Sequence, residues 1–157
     1  MRKRQIGSPE QTLSGSESGW LDLEPRATVE VTSEDPAYPI EAALLPGSGG
    51  GWRAGALGPQ TIRILFDEPQ RLRRIYLEFR EAEVERTQEF ALRWSPDGGR
   101  SFQEIVRQQW NFNPTGSTSE VEDFRVELTA VTAIECYIKP NIQGGDAVAS
   151  LSKFRLA

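Results

Sequence analysis

Hydrophobic and polar residues alternate along most of this chain with a period of two. Val29 and Val31 flank Glu30, Ile62, Ile64 and Phe66 alternate with Arg63, Ile75, Leu77 and Phe79 with Glu78, and Phe90, Leu92 and Trp94 with Arg93. The pattern returns at Ile105 in SFQEIVRQ, at Phe124, Val126 and Leu128, at Ile134, Cys136 and Ile138, and in the closing ASLSKFRL. Side chains two apart share one face of a strand, so each segment predicts a half-buried antiparallel strand. About eight such strands with turn signals between them predict an all-β sandwich or jelly roll. Only the segment from Arg80 to Glu89 has helix-forming composition, and its place between two strands predicts a charged connection. Residues 1 to 19 hold little but Ser, Gly, Gln, Glu and Pro to set against solvent, which predicts a disordered N-terminal tail before a single domain spanning 20 to 157.

Composition narrows the function. With 38% hydrophobic and 26% charged residues, the chain reads as globular, and no apolar run approaches the roughly 20 residues of a membrane helix. A membrane is therefore not an expected partner. The basic start has no apolar segment behind it, so it does not read as a secretory signal, and cytoplasmic is the default location. The chain contains no histidine, which excludes Ser-His-Asp and Cys-His nucleophiles and His-ligated zinc or iron. A net charge of −5 argues against a nucleic-acid partner. The lone Cys136 lies on an alternating strand and reads as a buried small hydrophobe. Glu81, Glu83 and Glu85 could be imagined as an acid/base set, but a solvated connection explains them better.

The stretch Ser95-Pro96-Asp97-Gly98-Gly99-Arg100-Ser101-Phe102 resembles the Asp box of sialidase-type propellers. Its chemistry is local: a carboxylate accepts N–H bonds inside a turn and glycines take positive φ. It occurs once, whereas a propeller repeats it. Asp97 is thus expected to stabilise a hairpin rather than to catalyse.

Read with its neighbours, EFALRWSPDGGRSFQEI resembles the central hairpin of discoidin-like domains, also called coagulation-factor C domains, which include galactose-binding carbohydrate modules. PIEAALLPGSGGGWRAG, TIRILFDEPQRLRRIYLEF and ASLSKFRL resemble, in order, that family's early Trp-bearing loop, central strand pair and closing strand. The resemblance implies a galactose-binding-like jelly roll, no catalysis, and a ligand held by loops at one end. Many such modules carry an Asp in the early loop that helps hold calcium. Here Pro46 to Gly51 offers no carboxylate, so no cofactor is expected and calcium, although main-chain carbonyls could contribute, is not favoured. Trp52 then reads as a core or loop anchor. A second likeness, of GGWRAGALGPQTIRILF to the N-terminal domain of an X-ray repair cross-complementing scaffold, implies instead a protein-interaction or DNA-repair module; the acidic balance weighs against it.

A sugar site needs an aromatic platform beside amide or guanidinium donors. Trp110, Asn111, Phe112 and Asn113 supply those types within one segment, and Asn141, Gln143 and Asp146 lie in a second Gly-containing loop, with Arg53 beside Trp52 as a charged donor. Trp110 and Phe112 are two apart and therefore share a face, which allows a core role for both. The expectation is a binding module with carbohydrate as the favoured ligand and a protein partner as the next.

Overall fold

The structure, a computed structural model, describes residues 19–47 and 49–157. The tail expected over residues 1–19 lies, apart from Gly19, outside the described residues. β1 (Ala27–Val31) leads through one helical turn, α1 (Glu41–Leu44), to the short β2 (Trp52–Arg53). β3 (Gln60–Arg80), β4 (Arg86–Ser95), β5 (Gln103–Phe112) and β6 (Ser119–Lys139) form the body. β7 (Ser150–Leu151) and β8 (Lys153–Leu156) close the chain. The strand order is β1-β3-β6-β4-β5 with β8 also on β3, and β2 pairs β7; every pairing is antiparallel.

Two strands are longer than the alternation predicts. Ile62–Phe66 and Ile75–Phe79 belong to one strand of 21 residues, and so do Phe124–Leu128 and Ile134–Ile138. At Asp67, Glu68 and Pro69 the chain stays extended but leaves the ladder, and the β3–β6 register shifts between Leu65 and Gln70 and again before Leu72 and Arg74. Such irregularities bend a ribbon instead of reversing it. The bent β3–β6 ribbon contributes to both layers of a β-sandwich, bringing Phe79 within 5.2 Å of Phe90 and Phe124 within 6.4 Å of it, ring centre to ring centre. The connection expected from Arg80 to Glu89 is shorter than its composition implied, since Arg80 still belongs to β3 and β4 starts at Arg86. Arg86 and Gln88 face inward on that strand, so a count of apolar residues does not register them.

Ile62, Ile64, Leu77, Phe79, Phe90 and Leu92 are fully buried between the layers, each worth about 1.5 to 3 kcal/mol of transfer from water. Cys136 is buried among them, and burial pushes its thiol well above the usual range. On the outer face, Glu30, Arg63, Glu135 and Arg93 stand in one row across β1, β3, β6 and β4. Arg63 donates to Glu135 at 2.9 and 2.7 Å and to Glu30 at 2.9 Å, and Arg93 donates to Glu135 at 3.4 Å. A slip of one residue would place this row of alternating charge in the core, so the row helps to fix the register.

The β4–β5 hairpin turns at the end of the sandwich away from the loops described below. The Asp97 carboxylate accepts from Ser101 Oγ at 2.6 Å, Ser95 Oγ at 2.7 Å and the Ser101 N–H at 3.0 Å. Gly98 and Gly99 adopt φ of 75° and 93°. The Ser101 and Ser95 hydroxyls, then the Ser101 amide, hold the Asp97 carboxyl at about 2. A depressed carboxyl stabilises the fold above its ordinary range and loses that contribution as pH falls through the folded value. Asp97→Ala is expected to lower the melting temperature at pH 6 and to flatten its decline between about pH 4 and 2, as followed by thermal melts across that range; an unchanged decline would assign the acid sensitivity to other carboxylates.

Candidate functional site

The sandwich gathers most of its irregular chain at one end. Val31, Gln60, Arg80, Arg86, Phe112, Ser119 and Lys139 all terminate their strands there, as the registers Val31↔Ile62, Gln60↔Ile138, Arg86↔Phe112 and Arg80↔Ser119 require. The segments are laced together across the end. Asp35 N–H donates to Arg53 O, Arg53 N–H to Tyr38 O and Ala54 N–H to Ala149 O. Ser152 N–H then reaches Glu78 O at 2.8 Å, and Ile142 N–H reaches Thr87 O at 2.8 Å. Trp52 is buried beneath this lacing, its indole N–H donating to Ser33 O at 3.2 Å, which makes it a loop anchor.

Arg53, Asn111, Asn113, Asn141, Gln143 and Asp146 all lie at this end, but they form two patches rather than one. In the first, Asn111 Oδ1 accepts from Thr87 Oγ1 at 3.0 Å, on the strand whose Thr87 carbonyl holds Ile142. Asn141 Oδ1 accepts the Gln143 N–H at 3.1 Å, and Gln143 and Asp146 are exposed in the same loop. Asn113 caps its own turn, its Oδ1 accepting from Thr115 N–H and Oγ1 at 3.0 and 2.8 Å. Phe112 is not part of any surface: it is 0% exposed, with the Arg86 guanidinium 4.9 Å over its ring. Trp110 is half-buried on the same inward face, opposite Gln88, and its indole N–H is enclosed. The shared face placed the pair inside because β5 presents it to the opposing layer; the aromatic platform read from these two residues is corrected accordingly.

The second patch is centred on a residue the sequence reading passed over. Tyr38 is exposed, and the Arg53 guanidinium stacks 4.9 Å over its ring. Beside it, Asp35, Pro36, Gly55, Leu57 and Val148 line an open concavity. Gly55 sits where an added Cβ would meet the Glu34 carbonyl oxygen at 2.8 Å, so the two loops that form the concavity are in backbone contact. A signal for Tyr38 was present: it stands between Pro36 and Pro39, outside any alternation, where an aromatic has no strand to carry it into the core. Among the described residues no group of three or more His, Cys, Asp or Glu side chains converges.

Comparison with known proteins agrees with this architecture. Residues 28–151 match the family model for the F5/8 type C domain. No curated protein matches the chain. Among solved structures, the family 32 CBM of NanJ from C. perfringens, in complex with galactose, superposes with a TM-score of 0.61 at 14% identity, covering 83% of this chain and 92% of that one. CBM32-3 of a family 31 glycoside hydrolase from Clostridium perfringens gives a TM-score of 0.65 at 18% identity, covering 90% and 96%. The CBM32 of AlyQ, in complex with 4,5-unsaturated mannuronic acid, gives 0.61 at 15%, covering 83% and 93%. At these identities the likeness is one of fold.

Proposed function

Because the chain belongs to the F5/8 type C domain family, we propose that it is a non-catalytic carbohydrate-binding module whose ligand docks on the loop end. The observation that carries this reading is the exposed Tyr38 ring stacked with Arg53 at the mouth of the sandwich. An aromatic face takes the C–H surface of a sugar ring, and a guanidinium beside it donates to the hydroxyl rim. Asn141, Gln143 and Asp146 offer polar groups on the neighbouring loop, with Asn111 and Asn113 beyond them. The carbohydrates held by the fold neighbours, galactose and an unsaturated mannuronic acid, support the ligand class.

A glycan array with the intact protein tests the reading, followed by calorimetric titration of the best-retained glycan. Tyr38→Ala and Arg53→Ala are expected to weaken that binding at least about tenfold, the effect of losing about 1.4 kcal/mol, while the melting temperature stays within a few degrees. Asn141→Ala is expected to weaken it less. An array without a retained glycan, or Tyr38→Ala and Arg53→Ala both binding as tightly as the wild type, would overturn the assignment.

A further inference from the structure

Directly beneath the loop end, Arg86 and Gln88 of β4, Trp110 of β5 and Glu120 of β6 point into the interior. Arg86, Gln88 and Glu120 are each at most 2% exposed. Glu120 lies opposite Phe79 in the ladder, and Gln88 lies opposite Trp110. Both Glu120 oxygens, Gln88 Nε2, Trp110 Nε1 and Arg86 Nη2 are buried without a hydrogen-bond partner. Gln88 faces the carboxyl but falls short of a well-formed bond. A buried carboxylate lacking both cation and donors is strongly disfavoured in its charged form.

Glu122 stands two residues along on the same face, and the Gln108 amide, in the orientation that satisfies both its groups, donates to the two Glu122 oxygens at 2.9 and 3.2 Å. Glu122 thus has donors, whereas Glu120 has none. Arg86, meanwhile, is a clamp. Its Nε donates to Glu81 Oε1 at 2.9 Å, and its Nη1 donates to Pro140 O at 2.7 Å and to Gln88 Oε1 at 3.2 Å. It therefore ties the 81–85 connection to the 140–149 loop, and Gln88 connects it to Glu120.

We propose that Glu120 is a proton-operated latch for the loop end: protonated, it leaves Arg86 to clamp Glu81 and Pro140; ionised, it draws Gln88 and, through the unpartnered Nη2, the guanidinium towards itself, and both segments loosen. The latch regulates the site assigned above and rests on that reading only for what the loops carry. The groups that act on Glu120 are Glu122 on its own strand and Gln88 from β4, with Phe79 of β3 opposite it in the ladder; Arg86 stands one hydrogen bond further on, donating to Gln88 Oε1, and carries Glu81 as its ion partner. Burial first, then the neighbouring Glu122 carboxylate, push Glu120 up to about 8. The sign follows from linkage: a carboxyl raised in the fold adds stability that is complete below its ordinary value of 4.5 and is lost as pH rises through the folded value.

The test needs no sugar, so its failure is separable from failure of the carbohydrate reading. Carboxyl carbon NMR of the glutamate-labelled protein is expected to show Glu120 titrating near 8, with the Ile142 and Gly144 amide shifts following the same midpoint. Glu120→Gln, which mimics the protonated form, is expected to abolish that loop titration and to flatten the fall in melting temperature between about pH 5 and 8. Glu122→Gln removes the neighbouring charge and is expected to shift the Glu120 midpoint down, a result that stands even if Glu120→Gln does not fold. Titration of Glu120 in the usual carboxylate range, or loop amides indifferent to its midpoint, would overturn the proposal.

Discussion

Phe112→Ala is expected to destabilise the domain by about 3 to 5 kcal/mol, the range for removing a large aromatic from a packed interior. The ring is fully buried in the last residue of β5, and it also receives the Arg86 guanidinium at 4.9 Å. A desolvated cation–π contact adds about 2 kcal/mol or more, and its loss would leave Arg86 over a cavity rather than a ring. Trp110→Ala should cost less, because Trp110 is only half-buried although it packs against the same core. Urea unfolding followed by fluorescence of the remaining tryptophans measures both. A Phe112 variant within 1 kcal/mol of the wild type would show that the ring is not a core element and would return it to the list of ligand contacts, with about 1 kcal/mol being the centre of ordinary substitution effects.

These two residues show how far periodicity reaches. Spacing by two established that Trp110 and Phe112 share a face, but it is silent on which face looks inward. That is settled by the opposing layer, of which the spacing within β5 carries no record. The strands themselves were legible because one face of each is apolar: Ile62, Ile64, Ile134 and Ile138 are all fully buried where the alternation predicted. Arg86, Gln88 and Glu120 were not legible, because polar side chains on an inward face break the very pattern used to find it. Their burial depends on mutual pairing and on a proton, neither of which has a sequence signature. The two long strands were missed for a related reason. A bulge at Asp67–Pro69 looks, residue by residue, like the turn that would end a strand, and only the register to β6 distinguishes bending from reversal. For the candidate site, the core role left open for Trp110 and Phe112 is where the structure puts them, while the exposed Tyr38 ring sits between two prolines, outside any alternation.

The glycine run before Trp52 provides the sharper contrast, because its residues look interchangeable and are not. Gly51 adopts φ of +71°, and a Cβ there would lie 2.7 Å from the Leu151 carbonyl oxygen and 2.8 Å from Ser152 Cα. Both are main-chain atoms and cannot rotate away. Gly49 has no heavy atom within 4 Å of an added Cβ and does not take positive φ. Gly51→Ala is thus expected to cost about 1 to 2 kcal/mol for the left-handed backbone alone, and more for displacing β7 from β2. Since β2 consists of Trp52 and Arg53 paired to Leu151 and Ser150, that displacement moves the Arg53 backbone that supports the Tyr38 stack. The variant should therefore melt earlier, exchange the Trp52 and Arg53 amides faster, and lose any glycan binding the wild type has together with its loop geometry. Gly49→Ala should fall within about 0.5 kcal/mol of the wild type, as surface substitutions away from special backbone do, and keep any binding the wild type has. Equal stability and equal amide exchange in the two variants would mean that the close approach of Gly51 to β7 does not hold the loop end together, and the lacing through Trp52 and Ser33 would have to carry that role without it.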